Sequence, residues 1–188
     1  MDWAFSELSE AWAMEMSDSQ RGISSVRIMT AADLDNVLAW RNHPEIRRYM
    51  YTQHKISCNE HSDWFECASQ DPHKHLLIFE VGGVAQGFVN LSEKAASGVA
   101  DWGFYIAPEA PKGTGRQLGQ TALNHAFHNL HLHKICGQAL AFNERSIKFH
   151  RDLGFQQEGI LRDQHYDGNN YSAVICFGLL NSEWPSKT

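Results

Sequence analysis

The sequence predicts a mixed α/β fold in which helices flank a single sheet. Short segments alternate apolar and polar residues, longer ones place apolar residues on one helical side, and glycine or proline separates them. The clearest alternating pair, residues 75–81 and 84–91, flanks Gly82-Gly83, a dipeptide typical of a tight hairpin. The full predicted order is β-α-α-β-β-β-α-β-α-β-β.

Length and composition indicate one globular domain. The chain has 188 residues, of which 43% are hydrophobic and 20% charged, as in ordinary globular proteins. We predict an acidic extension over residues 1–24, a domain over residues 25–180 and a tail over residues 181–188. Apolar residues of the extension fall on helical spacing, which is compatible with a helix there: Phe5, Leu8, Trp12 and Met16.

The charge distribution excludes some classes of partner. The net charge is -6, and residues 1–20 contain five acidic side chains and no Lys or Arg. The rest of the chain is nearly neutral and has no basic stripe, so we expect no nucleic-acid partner. No apolar run approaches the roughly 18 residues of a membrane helix, and the start lacks the pattern of a signal peptide. We therefore expect a cytoplasmic protein with no membrane partner.

Helices dominate the stretch before the first hairpin. Residues 25–29 read as a strand, and residues 31–42 as a helix that begins with Thr30 and Asp33 as a capping box. Pro44 begins a short helix through residue 50, and Ser57 with Glu60 begins another that runs to about residue 69. In the second hairpin strand, Gly87 predicts a bulge or a close approach by another backbone.

Residues 99–129 predict a phosphate-binding site. A strand over residues 99–107 leads to the turn Gly113-Thr114-Gly115 and then to a helix with apolar residues on one half of its surface. Glycine gives a ligand close access to the backbone, and a helix start offers unpaired N–H groups. Lys112 and Arg116 flank this turn and add positive charge. The pattern is typical of a pyrophosphate cradle.

The C-terminal third completes the sheet. Residues 134–141 read as a strand, Asn143 caps a helix that Gly154 ends, and residues 155–166 and 171–180 form a last hairpin. The four cysteines show no C-x-x-C spacing and are interpreted as reduced thiols. We expect no metal, although four histidines are closely spaced near the end of the long helix: His125, His128, His131 and His133.

A dinucleotide oxidoreductase is a rival reading of the glycine turn. The fingerprint G-x-G-x-x-G fails because Leu118 occupies the third glycine position. The next strand also ends at Ala141-Phe142-Asn143, without the acidic residue that binds a ribose. The sequence therefore does not favour this class.

Two motifs resemble the GNAT superfamily of acyl-CoA-dependent N-acetyltransferases over about residues 25–180. The segment Ala110-Pro111-Lys112-Gly113-Thr114-Gly115 keeps both glycines of its pyrophosphate signature but has Ala110 at the usual Arg/Gln position. NERSIKFHRDLGF, residues 143–155, matches a second signature. The resemblance implies a mostly antiparallel seven-stranded sheet splayed between strands 4 and 5, about four flanking helices, and acetyl-CoA as co-substrate.

Three further segments narrow the resemblance. AWRNHPEIRRYMY (39–51), the helix with Glu60, His61 and Trp64, and ADWGFY (100–105) resemble nucleotide-aminosugar acetyltransferases of the pseudaminic acid pathway. The implied reaction is acetylation of the 4-amino group of a UDP-linked 4-amino-4,6-dideoxy sugar by direct attack on the thioester. The ribosomal-protein N-terminal acetyltransferases share the WRN-type helix, so protein acetylation stays an alternative. A non-catalytic acyl-CoA-binding module is a second alternative. A homodimer is compatible with either enzyme.

The resemblance also implies a role for individual residues. Backbone groups around Tyr105 and Ile106 would bind pantetheine, and Asn143 its arm, while Lys148 would reach the nucleotide. The pyrophosphate would be held by Lys112, Gly113, Thr114, Gly115 and Arg116.

Candidate catalytic and acceptor residues lie in both halves of the chain. His150 stands where the superfamily usually has a tyrosine and is a candidate general acid; a structural helix histidine is the alternative. His61 is a candidate base acting through water, and an ordinary helix histidine is equally compatible. Candidate acceptor contacts are Arg41 for a phosphate, Tyr51 or Trp102 for stacking, Met50, and Gln138 for orienting a water. Met50 and Trp102 could instead belong to the core, and Arg41 to a surface ion pair.

Overall fold

The computed structural model describes residues 22–94 and 97–185, so the helix predicted within residues 1–21 lies outside them. The described residues form seven strands and five helices. In chain order these are β1 (Ser24–Ile28), α1 (Leu34–Asn42), α2 (Pro44–Arg47), α3 (Cys58–Ser69), β2 (Lys74–Val81), β3 (Val84–Glu93), β4 (Val99–Ile106), α4 (Thr114–Asn124), β5 (Lys134–Leu140), α5 (Glu144–Asp152), β6 (Gln156–Tyr166) and β7 (Tyr171–Leu180). None of these helices is long and apolar enough to cross a bilayer.

All seven strands belong to one sheet, in the order β1-β2-β3-β4-β5-β7-β6. Every neighbouring pair is antiparallel except β4 and β5, which are parallel. The parallel pair extends over only three residues of each strand and ends at Asp101 opposite Cys136. Beyond this point the two strands separate, which opens a cleft in the middle of the sheet. The predicted mixed α/β fold with a splay between strands 4 and 5 is confirmed.

Each face of the sheet carries its own hydrophobic core. On one face α4 and α5 pack on alternate residues of the central strands. The predicted apolar side of the long helix is buried along α4 and the π-helical turn His125–Asn129 that continues it, with Leu118, Ala122, Leu123, Ala126 and Phe127 each at most 1% exposed. On the other face α1 and α3 cover a smaller core that includes Val37, Trp40, Ile78 and Phe88. The cleft therefore lies between two packed layers that hold its walls in place.

The glycine in β3 has the role its sequence position predicts. The pairing of β2 with β3 shifts between Phe79 and Glu80, which pair with Gly87 and Ala85 and leave Gln86 as a bulge. A Cβ atom at Gly87 would lie 2.6 Å from Leu118 Cδ1 and 2.9 Å from the Tyr105 carbonyl. A glycine here lets α4 pack closely on the strand next to the cleft.

Two helices differ from the prediction at their ends. The helix expected over residues 31–42 starts as a 3-10 turn, in which Asp33 accepts from the Thr30 N–H and forms a double hydrogen bond with Arg27. Hydrogen bonds from Arg27 lower the pKa of Asp33 to about 2. The helix expected over residues 44–50 ends already at Arg47, and a turn that directs Tyr51 over the cleft follows it.

The cap of α3 is only half of the expected capping box. Ser57 accepts from the Glu60 N–H at 3.2 Å, as predicted. The Glu60 carboxylate bonds instead to His54 Nε2 at 3.0 Å. The Glu60 carboxylate, which lines a second and smaller cavity, is thus already hydrogen-bonded to His54.

Candidate active site

The separation of β4 from β5 creates a cleft with a cavity volume of about 760 Å³. Its walls come from both strands, α2 and the segment after it, the segment after β4, the start of α4, and α5 as far as His150. Eleven of the residues predicted for the site line it: Met50, Tyr51, Trp102, Tyr105, Ile106, Lys112, Gly113, Gly115, Gln138, Asn143 and His150. Five do not: Arg41 and His61 line a separate cavity, and Thr114, Arg116 and Lys148 lie outside both.

The start of α4 has the geometry of an anion site. Gly113 precedes the helix with φ of 94°, a left-handed conformation that glycine adopts without strain, and no atom lies within 4 Å of a Cβ built there. The first turn contains no acidic side chain. The N–H groups of Thr114, Arg116 and Gln117 are bonded to backbone carbonyls, which leaves those of Gly113 and Gly115 to bind an anion. A Cβ at Gly115 would lie 2.9 Å from Ile106 Cδ1, so glycine also brings the helix start close to β4. These features fit a pyrophosphate.

Two residues predicted to bind the pyrophosphate, Thr114 and Arg116, and one predicted to reach the nucleotide, Lys148, have other surroundings. The Thr114 side chain is buried and its hydroxyl donates to Gln86 Oε1 at 3.4 Å, which ties the turn to β3. Lys148 pairs with Asp152 at 2.6 Å on the exposed side of α5. Arg116 is exposed beyond the cleft lining. Lys112 is therefore the predicted side-chain cation that lies in the cleft itself.

In the middle of the cleft, backbone N–H and C=O groups rather than charged side chains are available to a ligand. Past Asp101 the edge of β4 that faces β5 has no strand partner, so its N–H and C=O groups are available to a ligand. Asn143 stands at the opposite wall as the cap of α5, where its Oδ1 accepts from the Ser146 N–H at 3.1 Å. Its amide nitrogen remains as a donor toward the cleft. An extended chain with amide groups, such as pantetheine, fits this arrangement.

His150 is enclosed at the floor of the cleft. It is 1% exposed, and its ring stacks on Phe177 with centroids 4.8 Å apart. Nδ1 lies 2.7 Å from the Ser146 carbonyl, to which it must donate, and Nε2 accepts from Trp102 Nε1–H at 3.1 Å. Both ring nitrogens are thus used, and burial lowers the pKa of His150. This geometry describes a neutral imidazole and counts against a proton donor.

Trp102 belongs to the same enclosed group. It is 7% exposed and lies nearly parallel to Phe155, with ring centroids 5.0 Å apart. Gly137 of β5 makes room for the pair, since a Cβ there would collide with His150 Nε2 and would lie 2.8 Å from Trp102 Nε1. The indole is therefore packed in the core, and its faces are not open for stacking on an acceptor.

A second cavity of about 310 Å³ lies next to the cleft, and Tyr105 lines both. Arg41 Nη2 donates to the Thr52 carbonyl at 2.9 Å, but Arg41 Nη1 is buried and has no hydrogen-bond partner among the described residues. His61 is 5% exposed and stacks on Trp64, and its Nε2 is likewise buried without a partner there. Burial lowers the pKa of both side chains. Arginine nevertheless stays charged, so the cavity has a cation with an unused donor.

Tyr51 links the two sides of the cleft. Its hydroxyl donates to Gln138 Oε1 at 2.7 Å, and its ring lies edge-on to His165 of β6 with centroids 5.5 Å apart. Met50 precedes it as a half-buried part of the lining. The structure thus brings together Met50, Tyr51 and Gln138, as the sequence predicts, while Arg41 and His61 form their own group.

Sequence reasoning missed several polar residues of the cleft: His43, Glu45, Tyr49, Asp101, Cys136, Arg145 and Ser146. Asp101 is the last β4 residue paired with β5, and it forms an ion pair with Lys94 at 3.0 Å. The signal that could have identified it is an aspartate within the apolar alternation of β4. Within residues 22–94 and 97–185, no group of three or more His, Cys, Asp or Glu side chains is placed to hold a metal ion.

Comparisons with known proteins agree with this geometry. A family model described as an acetyltransferase (GNAT) domain matches residues 25–156. The acetyltransferase PseH of Campylobacter jejuni is 28% identical over 131 residues, 68% of this chain and 79% of that protein. The spermidine N(1)-acetyltransferase of Escherichia coli is 26% identical over 161 residues, 85% of this chain and 87% of that protein.

A solved structure supports the same relationship. Spermidine N-acetyltransferase from Vibrio cholerae, in complex with CoA and spermine, superimposes with a TM-score of 0.79 at 25% identity and covers 88% of this chain and 98% of its own. The family model ends at residue 156, whereas the sheet continues through β7 to Leu180.

Proposed function

Since the chain belongs to the GNAT acetyltransferase family and its co-substrate is acetyl-CoA, we propose that it acetylates the 4-amino group of a UDP-linked 4-amino-4,6-dideoxy sugar. The amine attacks the thioester directly, without an acyl-enzyme. The finer identity of the acceptor comes from the resemblance of residues 39–51 and 100–105 to nucleotide-aminosugar acetyltransferases. Family membership disfavours the non-catalytic binding module.

One observation carries the choice of an anionic acceptor: the unpaired guanidinium of Arg41. No carboxylate of the described residues lies within ion-pair distance of it, and one of its nitrogens is buried without a hydrogen-bond partner. A buried charged donor without an acceptor costs free energy, and a phosphate oxygen would satisfy it with a charge-assisted bond. Glu60, the acidic residue at this cavity, is already bonded to His54. A diphosphate therefore complements this cavity.

His61 fits the same interpretation. Its unpartnered Nε2 opens on the cavity that Arg41 lines, and its ring is held by Trp64 with centroids 5.1 Å apart. Burial lowers the pKa of His61, so the ring is neutral near pH 7 and Nε2 is free to bond a polar group of the acceptor. We assign His61 to acceptor binding, with proton transfer through water as its further predicted role.

The cleft then holds the acyl donor between β4 and β5. Lys112 and the N–H groups at Gly113 and Gly115 bind the pyrophosphate, and the unpaired edge of β4 around Tyr105 and Ile106 binds the pantetheine. The backbone donors of that edge polarise the thioester carbonyl as an oxyanion hole does. Asn143 binds the pantetheine arm from the α5 side.

Polyamine acetylation is the second candidate function. Two similar relatives named above are spermidine acetyltransferases, and the carboxylates of Glu45 and Asp101 line the cleft. Two carboxylates could bind the ammonium groups of a polyamine. The Arg41 guanidinium next to the cleft opposes such an acceptor, because a polycation would add positive charge beside an unpaired one.

The experiment is release of CoA thiol from acetyl-CoA with three acceptors in parallel: a UDP-4-amino-4,6-dideoxy sugar, spermidine, and an N-terminal peptide. We expect release with the nucleotide sugar at the highest kcat/KM and a product heavier by one acetyl group. Preferred turnover of spermidine or of the peptide would refute the proposed acceptor and leave the family activity unchanged.

Three further expectations stay proposals. We place the catalytic domain at residues 25–180, because the sheet ends with β7 at Leu180. We place the enzyme in the cytoplasm, because its four cysteines are unpaired thiols. A homodimer is the expected assembly. Size-exclusion chromatography with light scattering tests the last of these.

A further inference from the structure

Acyl transfer needs a proton donor at the leaving sulfur, and His150 is poorly suited to that role. The amine displaces a CoA thiolate, and a side chain that protonates it lowers the barrier. The Nδ1 proton of His150 is bonded to the Ser146 carbonyl, and Nε2 is occupied by the Trp102 N–H. A proton on Nε2 would have to displace that indole from a buried contact.

Several other titratable groups that line the cleft are also unsuitable. The Tyr105 hydroxyl points away toward the Val37 carbonyl at 3.5 Å, and burial raises its pKa. Ionised carboxylates such as Glu45 and Asp101 accept hydrogen bonds and do not donate them. The Cys136 thiol is a weak donor whose pKa burial raises.

The Tyr51 hydroxyl has the required position. Tyr51 lies in the segment after α2 that crosses the cleft, and its hydroxyl donates to Gln138 Oε1 at 2.7 Å. Gln138 lies on β5 two residues beyond Cys136, the last residue of that strand paired with β4. The phenol is thus held over the open part of the gap, where the thioester of an acyl donor between the strands would lie.

We propose that Tyr51 is the general acid of acetyl transfer and that Gln138 positions its hydroxyl. The amine nitrogen bonds to the acetyl carbon while the carbon–sulfur bond breaks and its electron pair goes to sulfur. The Tyr51 hydroxyl turns about its C–O bond from Gln138 Oε1 toward the sulfur, a motion that the enclosed His150 ring cannot make, and its proton gives the CoA thiol. The proton that the amine loses reaches the phenolate through water and restores the hydroxyl. This inference rests on the acetyltransferase activity and holds for any amine acceptor.

The surroundings keep the phenol protonated before the reaction. His165 of β6 faces its ring edge-on, and Cys176 of β7 is the other titratable group near it. Burial raises the pKa of Tyr51, so a neutral hydroxyl is present throughout the range in which the amine reacts. Tyr51 is nevertheless 53% exposed as a residue, which gives water access for the return of the proton.

Tyr51→Phe tests the proposal, with Tyr49→Phe as the matched control. Tyr49 lies in the same segment and packs its ring on Phe142, and its hydroxyl makes no hydrogen bond to the described residues. We measure kcat and both KM values between about pH 6 and 10, with whichever of the three acceptors the wild type acetylates best. We expect Tyr51→Phe to lower kcat about 100-fold and to change neither KM by more than about twofold. Tyr49→Phe should match the wild type.

A second measurement needs no acceptor. The ultraviolet absorbance of the thiolate reports the pKa of the CoA thiol bound to the enzyme. A hydroxyl that donates to sulfur stabilises the thiolate, so Tyr51→Phe should raise this pKa and Tyr49→Phe should not. An unchanged thiol pKa, or an intact kcat with a raised acceptor KM, would overturn the proposal and leave Tyr51 a binding residue. The acceptor preference of the wild type tests the proposed function separately.

Discussion

Two buried histidines near the cleft show how differently the structure treats the same side chain. His150 is 1% exposed and His61 5%, and burial lowers the pKa of both. His150 uses both ring nitrogens, toward Ser146 and Trp102, whereas His61 leaves Nε2 without a partner in the described part of the chain. A buried polar atom without a partner is costly. The floor of the cleft is therefore a packed core with its polar atoms satisfied, whereas the unpartnered atoms of the second cavity support the proposal that it binds a ligand.

Among the substitutions considered next, we expect the largest loss of activity when the unpaired cation of the second cavity, Arg41, is removed. Arg41→Met keeps a long side chain but loses the charge, and a charge-assisted bond to an acceptor phosphate is worth about 1.5–3 kcal/mol, or roughly 10- to 100-fold. We expect acceptor kcat/KM to fall by that factor while the KM of acetyl-CoA stays constant. Arg48→Met is the control, because Arg48 is exposed and pairs with Glu45.

An unchanged activity of Arg41→Met would contradict the view that the cavity of Arg41 and His61 binds a ligand while the surroundings of His150 do not. The second cavity is not an anion site if Arg41→Met leaves kcat/KM for the nucleotide sugar unchanged. The same conclusion follows if the Arg41→Met protein acetylates spermidine as fast as the wild type acetylates the nucleotide sugar.

The phosphate end of the cleft should show a smaller effect. Lys112→Ala removes the cation beside the glycine turn and should raise the KM of acetyl-CoA roughly threefold to tenfold, since an exposed charge is partly screened by solvent. Lys148→Ala should leave this KM unchanged, because Lys148 is paired with Asp152 outside the cleft. Equal effects of the two substitutions would contradict the placement of the pyrophosphate.

Thermal stability measurements test whether the core at the floor of the cleft is tightly packed. In Gly137→Ala the new Cβ would collide with His150 and Trp102, which are both buried, and overpacking of this kind costs about 1–3 kcal/mol. We expect Tm to fall by about 2–4 °C for each kcal/mol. Gly159→Ala is the control, since nothing lies within 4 Å of a Cβ there. A Gly137→Ala protein as stable as this control would show that the floor is loosely packed.

The smallest effect is the pH dependence of stability. Because the folded pKa of His150 is below that of the unfolded chain, the unfolded chain gains protons first as pH falls. The stability that this group contributes is present above the unfolded pKa of about 6.5 and is lost as pH falls below it. His150→Gln keeps an acceptor for Trp102 and cannot titrate, so its Tm should fall less between about pH 7.5 and 5.5.

The same variant addresses the mechanism. His150→Gln should keep kcat within about threefold of the wild type between about pH 6 and 9, because a neutral, fully bonded ring supplies no proton. A loss of about 100-fold, restricted to kcat, would restore His150 as the general acid and argue against Tyr51.

The sequence predicts the helices, strands and glycine turn that surround the site well, because the residue patterns that indicate them are local. Leu118 and Leu123 reveal the buried side of α4 through helical periodicity, and Gly113 marks the turn at its start through backbone conformation alone. The splay between β4 and β5 follows from the family resemblance and not from the residues, since the apolar alternation of β4 is the same before and after Asp101.

The chemistry of the acceptor side was less predictable, because it depends on contacts between distant segments. Trp102 and His150 are 48 residues apart and become a buried pair only through the space at Gly137. Tyr51 and Gln138 are 87 residues apart. Motif spacing identified these side chains but could not show which nitrogens and oxygens are satisfied within the protein.

The most direct test of the account is equilibrium binding of UDP to the enzyme in the presence of saturating CoA, by isothermal titration calorimetry. We expect UDP to bind to the wild-type protein, Arg41→Met to weaken this binding roughly 10- to 100-fold, and spermidine not to compete. Binding of spermidine without binding of UDP would contradict the proposed anion site.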